Sequence, residues 1–268
     1  MKAMVVREPK GSLELDERER PKPKADEVLI HVRACGVCHG DLMLQQGEFL
    51  FVTYPIVPGH EVAGLIAEIG EGVERWKPGD RVGLSALFST CGACRYCLSG
   101  DENLCLQWCW TGLMTDGGYQ EFMIAKAAYL APLPEGIDFA EIAPVMCAGL
   151  TVFSGLRNAG FEPGNKVAVI GFGGLGQYGL LYAKAMGARV AVVSTSAEKE
   201  AEARQMGAER FIDATQGSLG DSLRKWEGGA DIILATSPSL EPMNAAFPGL
   251  APEGTNGCPG SWAGQSAN

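Results

Sequence analysis

The residues of this chain that can do chemistry are sulfur and imidazole ligands. Cys35-Gly-Val-Cys38-His-Gly-Asp41 is followed, after an aromatic-rich connector, by Gly59-His60-Glu61-Val-Ala-Gly64. A zinc ion that acts on a substrate needs three protein ligands and one open position. Cys38 and His60 supply two, and Cys147, in Pro144-Val-Met-Cys-Ala-Gly149, is the candidate for the third because it ends a helical stretch. Taken singly, Cys38 or Cys147 would read as a core thiol. The second cysteine cluster alters that balance. Cys91-x2-Cys94-x2-Cys97-x7-Cys105 places four thiols in one lobe, the ligand set of closed, structural zinc. A bacterial iron–sulfur run has a three-residue final gap and a following proline. Here seven residues separate Cys97 from Cys105, and Leu106 follows.

A second chemistry-bearing stretch lies downstream. Lys166–Ile170 is an apolar strand that runs into Gly171-Phe-Gly173-Gly174-Leu175-Gly176 and then a helix over 177–186. Strand, glycine turn and helix in that order are the context of a dinucleotide-binding loop. Gly171 permits the tight turn, Gly173 lets a pyrophosphate approach the backbone, and Gly176 allows close helix packing. The helix N-terminus then faces the phosphates. An NAD-specific site carries Asp or Glu at the end of the next strand. This chain has Ser194-Thr195-Ser196 and then Lys199, hydroxyls and a positive charge suited to the 2′-phosphate of NADP(H).

These ligands need elements to hold them. Glu27–Ala34 alternates as a half-buried strand, and Cys38–Gln46 reads as a short helix whose N-terminus favours the Cys38 thiolate. Further strands are expected over 2–6, 13–15, 62–69, 81–88, 119–124 and 128–132, with helices over 138–148, where Pro144 argues against continuity, and 150–158. Many short strands with Gly/Pro turns indicate a small β-barrel-like domain. From residue 166 onward, strands and helices alternate as in a parallel sheet.

The 268 residues suffice for two domains. With 22 basic and 32 acidic residues the formal charge is −10, which disfavours nucleic acid or an anionic membrane as partner. No apolar run is long enough to span a bilayer, and the early charges of the N-terminus do not fit a signal peptide. The expected location is cytoplasmic, where the cysteines serve metals rather than disulfides.

The run Gly59-His60-Glu61-x2-Gly64-x5-Gly70-x2-Val73 resembles the signature of the zinc-dependent medium-chain alcohol dehydrogenases, with every fixed position filled. Cys35-Gly-Val-Cys38-His39 and the glycine loop fit the same family. Ser194 to Lys199 resembles its NADP-preferring, cinnamyl-alcohol-dehydrogenase-like branch. The resemblance implies an α/β protein: a chaperonin-10-like (GroES-like) β-barrel catalytic domain over 1–149, with a structural-zinc lobe at 89–109, and a doubly wound Rossmann domain over 150–255. It implies interconversion of a primary alcohol and an aldehyde, with one catalytic zinc, one structural zinc and NADP(H). Cys38, His60 and Cys147 would hold the catalytic ion, with Glu61 as an exchangeable ligand. Asp41 would hold the second nitrogen of His60, His39 would contact a cofactor phosphate, and Thr151 would lie beside the nicotinamide. For Asp41 and His39, a helix cap and an exposed side chain are the plain alternatives. Partners would be small alcohols or aldehydes, and full-length relatives form homo-oligomers.

Two positions depart from the family pattern. Gly40 stands where relatives carry the Ser or Thr that begins proton transfer, and Gln177 where they often carry His. The nucleotide half shows four strand-like runs where six are expected, and residues 256–268 have no periodicity. The expectation is therefore a shortened nucleotide domain with an aberrant tail. A non-catalytic zinc-binding fragment is the alternative to an active enzyme.

Overall fold

The computed structural model describes residues 1–257. Two compact units divide the chain, Met1–Cys147 and Ala148–Asn268. The first contains β1 (Lys2–Val6), β2 (Leu13–Glu17), β3 (Glu27–Gly36), α1 (His39–Gln46), β4 (Glu61–Ile69), β5 (Arg81–Leu84), β6 (Leu87–Ser89), α2 (Arg95–Ser99), β7 (Cys109–Trp110), β8 (Phe122–Lys126), β9 (Ala131–Pro132) and α3 (Phe139–Ile142). An antiparallel sheet runs in the order β8-β3-β4-β5-β9. The alternation in β3 turns Val28 and Ile30 into one core, where they meet Val62, Ile66, Val82, Leu84 and Met123. Each such fully buried aliphatic side chain contributes about 1.5–3 kcal/mol.

Three expectations for this unit are corrected. The single strand over 81–88 is two, because β6 leaves the sheet to pair with β7 and carry the cysteine lobe between them. The strands expected over 119–124 and 128–132 are β8 and the short β9, with a 3-10 turn at Ala127–Tyr129. The helix expected over 138–148 stops at Ile142. A 3-10 turn, Ala143–Met146, follows with Pro144 in its first positions, where a missing N–H is tolerated.

The second unit contains α4 (Ala148–Asn158), β10 (Lys166–Ile170), α5 (Gly174–Ala185), β11 (Arg189–Ser194), α6 (Glu200–Gln205), β12 (Arg210–Asp213), α7 (Leu219–Arg224), β13 (Ala230–Ala235), α8 (Leu240–Ala246) and β14 (Leu250–Gly257). All strand pairs are parallel, in the order β12-β11-β10-β13-β14. The strands read as continuous apolar runs because both faces are covered. Val167, Val169, Val190 and Val192 meet Val152, Leu156 and Leu180 on one face. Ala168, Ile170, Ala191 and Val193 meet Leu219, Leu223 and Trp226 on the other.

The expectation of four strands is corrected: among the described residues the parallel sheet has five. Leu250-Ala-Pro-Glu-Gly-Thr-Asn-Gly has no apolar run to mark it. It pairs with β13 alone among the described residues, a position where Pro and Gly are tolerated. Of the aberrant tail expected over 256–268, residues 258–268 lie outside the described residues. Among the described residues, no single helix is long and apolar enough to cross a membrane.

Candidate functional site

The first unit brings Cys38, His60, Glu61 and Cys147 together. One ligand atom from each lies within 4.8 Å of the others. Cys38 is the N-cap of α1. Cys147 follows the 3-10 turn Ala143–Met146, and its N–H donates to the Pro144 carbonyl at 3.2 Å. His60 and Glu61 sit where the chain turns into β4. Gly59 makes that turn at φ +100°, and a Cβ there would lie 2.6 Å from the Tyr119 ring and 2.8 Å from Cys35 Sγ, so no other residue fits. Gly36 leaves room for the Glu61 carboxylate, since a Cβ on it would fall 1.8 Å from Glu61 Oε2.

Asp41 ties this set together. It is buried, and its carboxylate accepts from the Cys38 N–H at 2.9 Å, the Gly59 N–H at 3.2 Å and the Tyr119 hydroxyl at 2.8 Å. Its Oδ1 also lies 3.3 Å from His60 Nδ1. The two expectations for Asp41, helix cap and histidine partner, are thus one arrangement. Burial would raise its pKa, but His60 and the donors around it hold it below the ordinary value. Burial would lower His60, yet Asp41 and Cys38 carry it up to about 10. The Cys147 thiol, and then His60, bring Cys38 down to about 4, overcoming its burial. Burial first, then the charge on Cys38, pushes Glu61 up to about 7. The thiolate, the form that ligates a metal, is therefore favoured at Cys38 before any cation is counted. A bound cation needs neutral imidazole, so metal uptake releases the His60 proton.

The lobe between β6 and β7 holds the second set, Cys91, Cys94, Cys97 and Cys105, again within 4.8 Å of one another. Sγ separations are 3.8 Å for Cys91–Cys97, 3.5 Å for Cys94–Cys97 and 3.6 Å for Cys91–Cys105. The Cys38–Cys147 separation is 3.8 Å. Tetrahedral Zn–S bonds of about 2.3 Å require S···S edges of about 3.8 Å. Both sets therefore fit zinc. Backbone N–H groups of Cys94 and Gln107 donate to Cys91 and Cys105 sulfur, each at 3.3 Å. The Ala93 and Cys94 amides bring the Cys91 thiol down to about 6.

In the second unit, Gly171 turns at φ +98° after β10, and a Cβ on Gly176 would fall 2.0 Å from the Gly171 carbonyl oxygen. Positions 173 and 174 have open space on their Cβ side. Gly173 caps α5, which begins at Gly174 rather than at the expected 177. Leu175 packs on the core. Ser194 ends β11 and is buried, with its Oγ accepting from the Ser196 N–H at 3.1 Å. Thr195 is exposed and Ser196 half-buried. Lys199 Nζ donates to the Phe172 carbonyl at 3.0 Å, which brings the ammonium onto the glycine loop. Gln177 donates to Glu202 at 3.2 Å. His39 is exposed in the first turn of α1, and Thr151 is half-buried on α4.

Sequence reasoning missed Tyr119, whose only signal is its place after Gly117-Gly118. The aromatic connector joins two tryptophans that follow the cysteine lobe in a chain of ring contacts, Phe49 to Phe51 at 5.7 Å, Phe51 to Trp108 at 5.3 Å and Trp108 to Trp110 at 5.5 Å. Phe49 belongs to the core and Phe51 is exposed.

A barrel-type unit with two zinc-fitting ligand sets and a parallel-sheet unit with a glycine-loop helix define a zinc dehydrogenase architecture. Residues 24–135 match the alcohol dehydrogenase GroES-like domain, and residues 174–267 match the zinc-binding dehydrogenase family. An alcohol dehydrogenase of Geobacillus stearothermophilus is 41% identical over 256 residues, covering 95% of this chain and 76% of the relative. Among solved structures, a cinnamyl alcohol dehydrogenase of Sorghum bicolor superposes with a TM-score of 0.84 at 32% identity, covering 95% of this chain and 74% of that one. The CAD of Helicobacter pylori, complexed with NADP(H), gives a TM-score of 0.80 at 30% identity, covering 89% and 69%. This chain belongs to the zinc-dependent medium-chain alcohol dehydrogenase family, in its cinnamyl-alcohol-dehydrogenase-like branch.

Proposed function

We propose that this chain interconverts a primary alcohol and an aldehyde with NADP(H), using zinc held by Cys38, His60 and Cys147, with Glu61 as an exchangeable ligand. The observation that carries the reading is the Cys38/His60/Glu61/Cys147 set, with His60 and Glu61 buried and both thiols half-buried, whose donor atoms lie within 4.8 Å of one another. When bound, zinc supplies Lewis acidity toward the substrate oxygen and the nicotinamide supplies or takes the hydride. Asp41 engages His60 Nδ1 and leaves Nε2 for the metal. Glu61, buried with a raised pKa, offers a further oxygen ligand. The Cys91/Cys94/Cys97/Cys105 set would hold the second, structural ion. Aldehyde-dependent oxidation of NADPH by the zinc-replete chain tests the activity. No turnover of any aliphatic or aryl aldehyde would refute it.

The preference for NADP(H) rests on the end of β11. Ser194 Oγ accepts from the Ser196 N–H, which leaves its own proton to donate to a phosphate oxygen. The NADP(H) bound to the Helicobacter pylori relative supports the same choice. Ser194→Asp is expected to shift relative affinity from NADPH toward NADH by about tenfold or more, equivalent to about 1.4 kcal/mol of like-charge repulsion. Binding titrations with both cofactors check this. An unchanged preference would refute the assignment.

Gly40 bears on proton transfer. A Cβ there would lie 3.2 Å from His60 Cε1 and 4.0 Å from Cys38 Sγ, so a side chain at this position would reach the ligand set. Glycine offers no group to carry a substrate proton. Gly40→Thr is expected to raise the alcohol oxidation rate by about tenfold to a hundredfold, the range of a placed proton-transfer group after some displacement of His60. A rate unchanged in Gly40→Thr and in Gly40→Ser would contradict this.

A further inference from the structure

The strand order of the second unit reverses between β10 and β13, since β11 and β12 lie on one side of β10 while β13 and β14 lie on the other. In open α/β sheets a ligand sits outside the carboxyl ends of the strands at such a point. Its two lips here are the Gly171 turn after β10 and Thr236-Ser237 after β13. A single hydroxyl joins them. Thr236 Oγ1 lies 3.0 Å from the Ile170 carbonyl oxygen and 2.9 Å from that of Gly171, and donates its proton to the pair. The Thr236 N–H also donates to the Ile170 carbonyl, at 2.9 Å. From the β11 side, Lys199 Nζ holds the next carbonyl, that of Phe172, at 3.0 Å.

Three consecutive carbonyls, 170, 171 and 172, are therefore engaged by the protein on both flanks of the turn. In a planar trans peptide each N–H points opposite the preceding carbonyl. The Gly171 N–H donates to the Val193 carbonyl at 2.9 Å, the amides of Phe172 and Gly173 point away from the held carbonyls of 171 and 172, and the Cβ side of positions 173 and 174 is open. The packing leaves little play. A Cβ on Gly176 would meet Gly171 O at 2.0 Å and Thr236 Oγ1 at 3.1 Å, and one on Gly171 would meet the Ser237 nitrogen at 3.1 Å. Helix α5, the glycine turn and the end of β13 are fitted to one another around that hydroxyl.

We propose that Thr236 is a positioning residue for the pyrophosphate of the dinucleotide, acting through the Gly171 carbonyl without touching the cofactor. The inference rests on the dinucleotide reading of the glycine loop and adds the residue that fixes the loop's orientation. Because NADH and NADPH share the pyrophosphate, loss of the hydroxyl weakens both equally. A residue at the 2′-phosphate end separates them.

The test is a fluorescence titration of the full chain with NADPH and with NADH, alongside steady-state rates. Thr236→Val, which keeps the shape and loses the hydroxyl, is expected to raise the dissociation constants of both cofactors by one common factor of about three to ten, the worth of one hydroxyl–carbonyl hydrogen bond. The KM for cofactor rises with it, while kcat at saturating cofactor is retained. Thr236→Ser, which keeps the hydroxyl, binds both cofactors as the unsubstituted chain does. Thr236→Ala replaces the valine variant if that variant does not fold. Unchanged affinity in the folded variant overturns the proposal. So does a loss confined to one cofactor, or a serine variant as weak as the valine one. Failure of the unsubstituted chain to bind either cofactor overturns the dinucleotide reading itself.

Discussion

Replacing Cys94 with serine is expected to remove one of two zinc ions and to unfold the lobe between β6 and β7. Between Cys91 and Cys105 that lobe contains one buried hydrophobic residue, Cys105, which is itself a ligand. Its leucines point outward, with Leu98 76% exposed and Leu106 90% exposed. No apolar core stands behind the cysteines, so the metal must supply the folding energy. In small zinc domains that energy is about 10–16 kcal/mol, and three remaining thiolates retain only part of it. Metal analysis of Cys94→Ser should give about one zinc per chain, and limited proteolysis should cut within 91–105. Cys147→Ser should instead abolish turnover with the lobe intact, because α3, the 3-10 turn and α4 are held by packing rather than by the ion. Two zinc ions and a protected lobe in Cys94→Ser would show that the lobe does not depend on its metal.

The second large effect is expected at Asp41. Its carboxylate serves the Cys38 and Gly59 amides, the Tyr119 hydroxyl and His60 Nδ1. Asp41→Ala leaves these donors without their acceptor in a buried site, and each unsatisfied group costs about 1–3 kcal/mol. It also frees the His60 ring to turn. Loss of a partner that orients a metal-bound histidine typically lowers metal affinity or activity about 10–100-fold. Asp41→Ala should show at least that loss at the mixed site, measured by competition with a chelator, while the four-thiolate site keeps its zinc. Asp41→Asn, which retains an acceptor oxygen without the charge, should fall between. Wild-type zinc retention and turnover in Asp41→Ala would contradict the role given to this residue.

The ligand sets were legible because metal chemistry restricts both residue type and spacing. Cys91 to Cys105 lie close in sequence, so local folding brings them together. Cys38, His60 and Cys147 are far apart, and their meeting depends on α1, the entry to β4 and the Pro144 turn. The family signature pointed to that meeting, whereas periodicity alone could not. Tyr119 was invisible because an aromatic after a glycine pair has no pattern of its own. Its role exists only where backbone hydrogen bonds from Gly118 to Gly59 and from Tyr119 to Pro58, ahead of β8, bring it beside Gly59. Thr236 was hidden for the same reason, since its partners Ile170 and Gly171 are joined to it by strand pairing across the sheet. The fifth strand of the nucleotide unit escaped notice because it pairs with β13 alone among the described residues, and an edge position does not demand an apolar run. The short helix α1 ends at Gln46 as expected and begins one residue later than expected, at His39, with Cys38 as its N-cap and Gly47 as its C-cap.

The central claim is that one chain holds two zinc ions in different ligand sets. X-ray absorption at the zinc edge, combined with metal analysis, tests it most directly. Six thiolates shared by two ions average three sulfurs per zinc. Two zinc ions per chain are expected, with a mean shell of about three sulfurs near 2.3 Å completed by lighter ligands at about 2.0–2.2 Å. A single zinc surrounded by four sulfurs, or two zinc ions with no imidazole scattering, would contradict it.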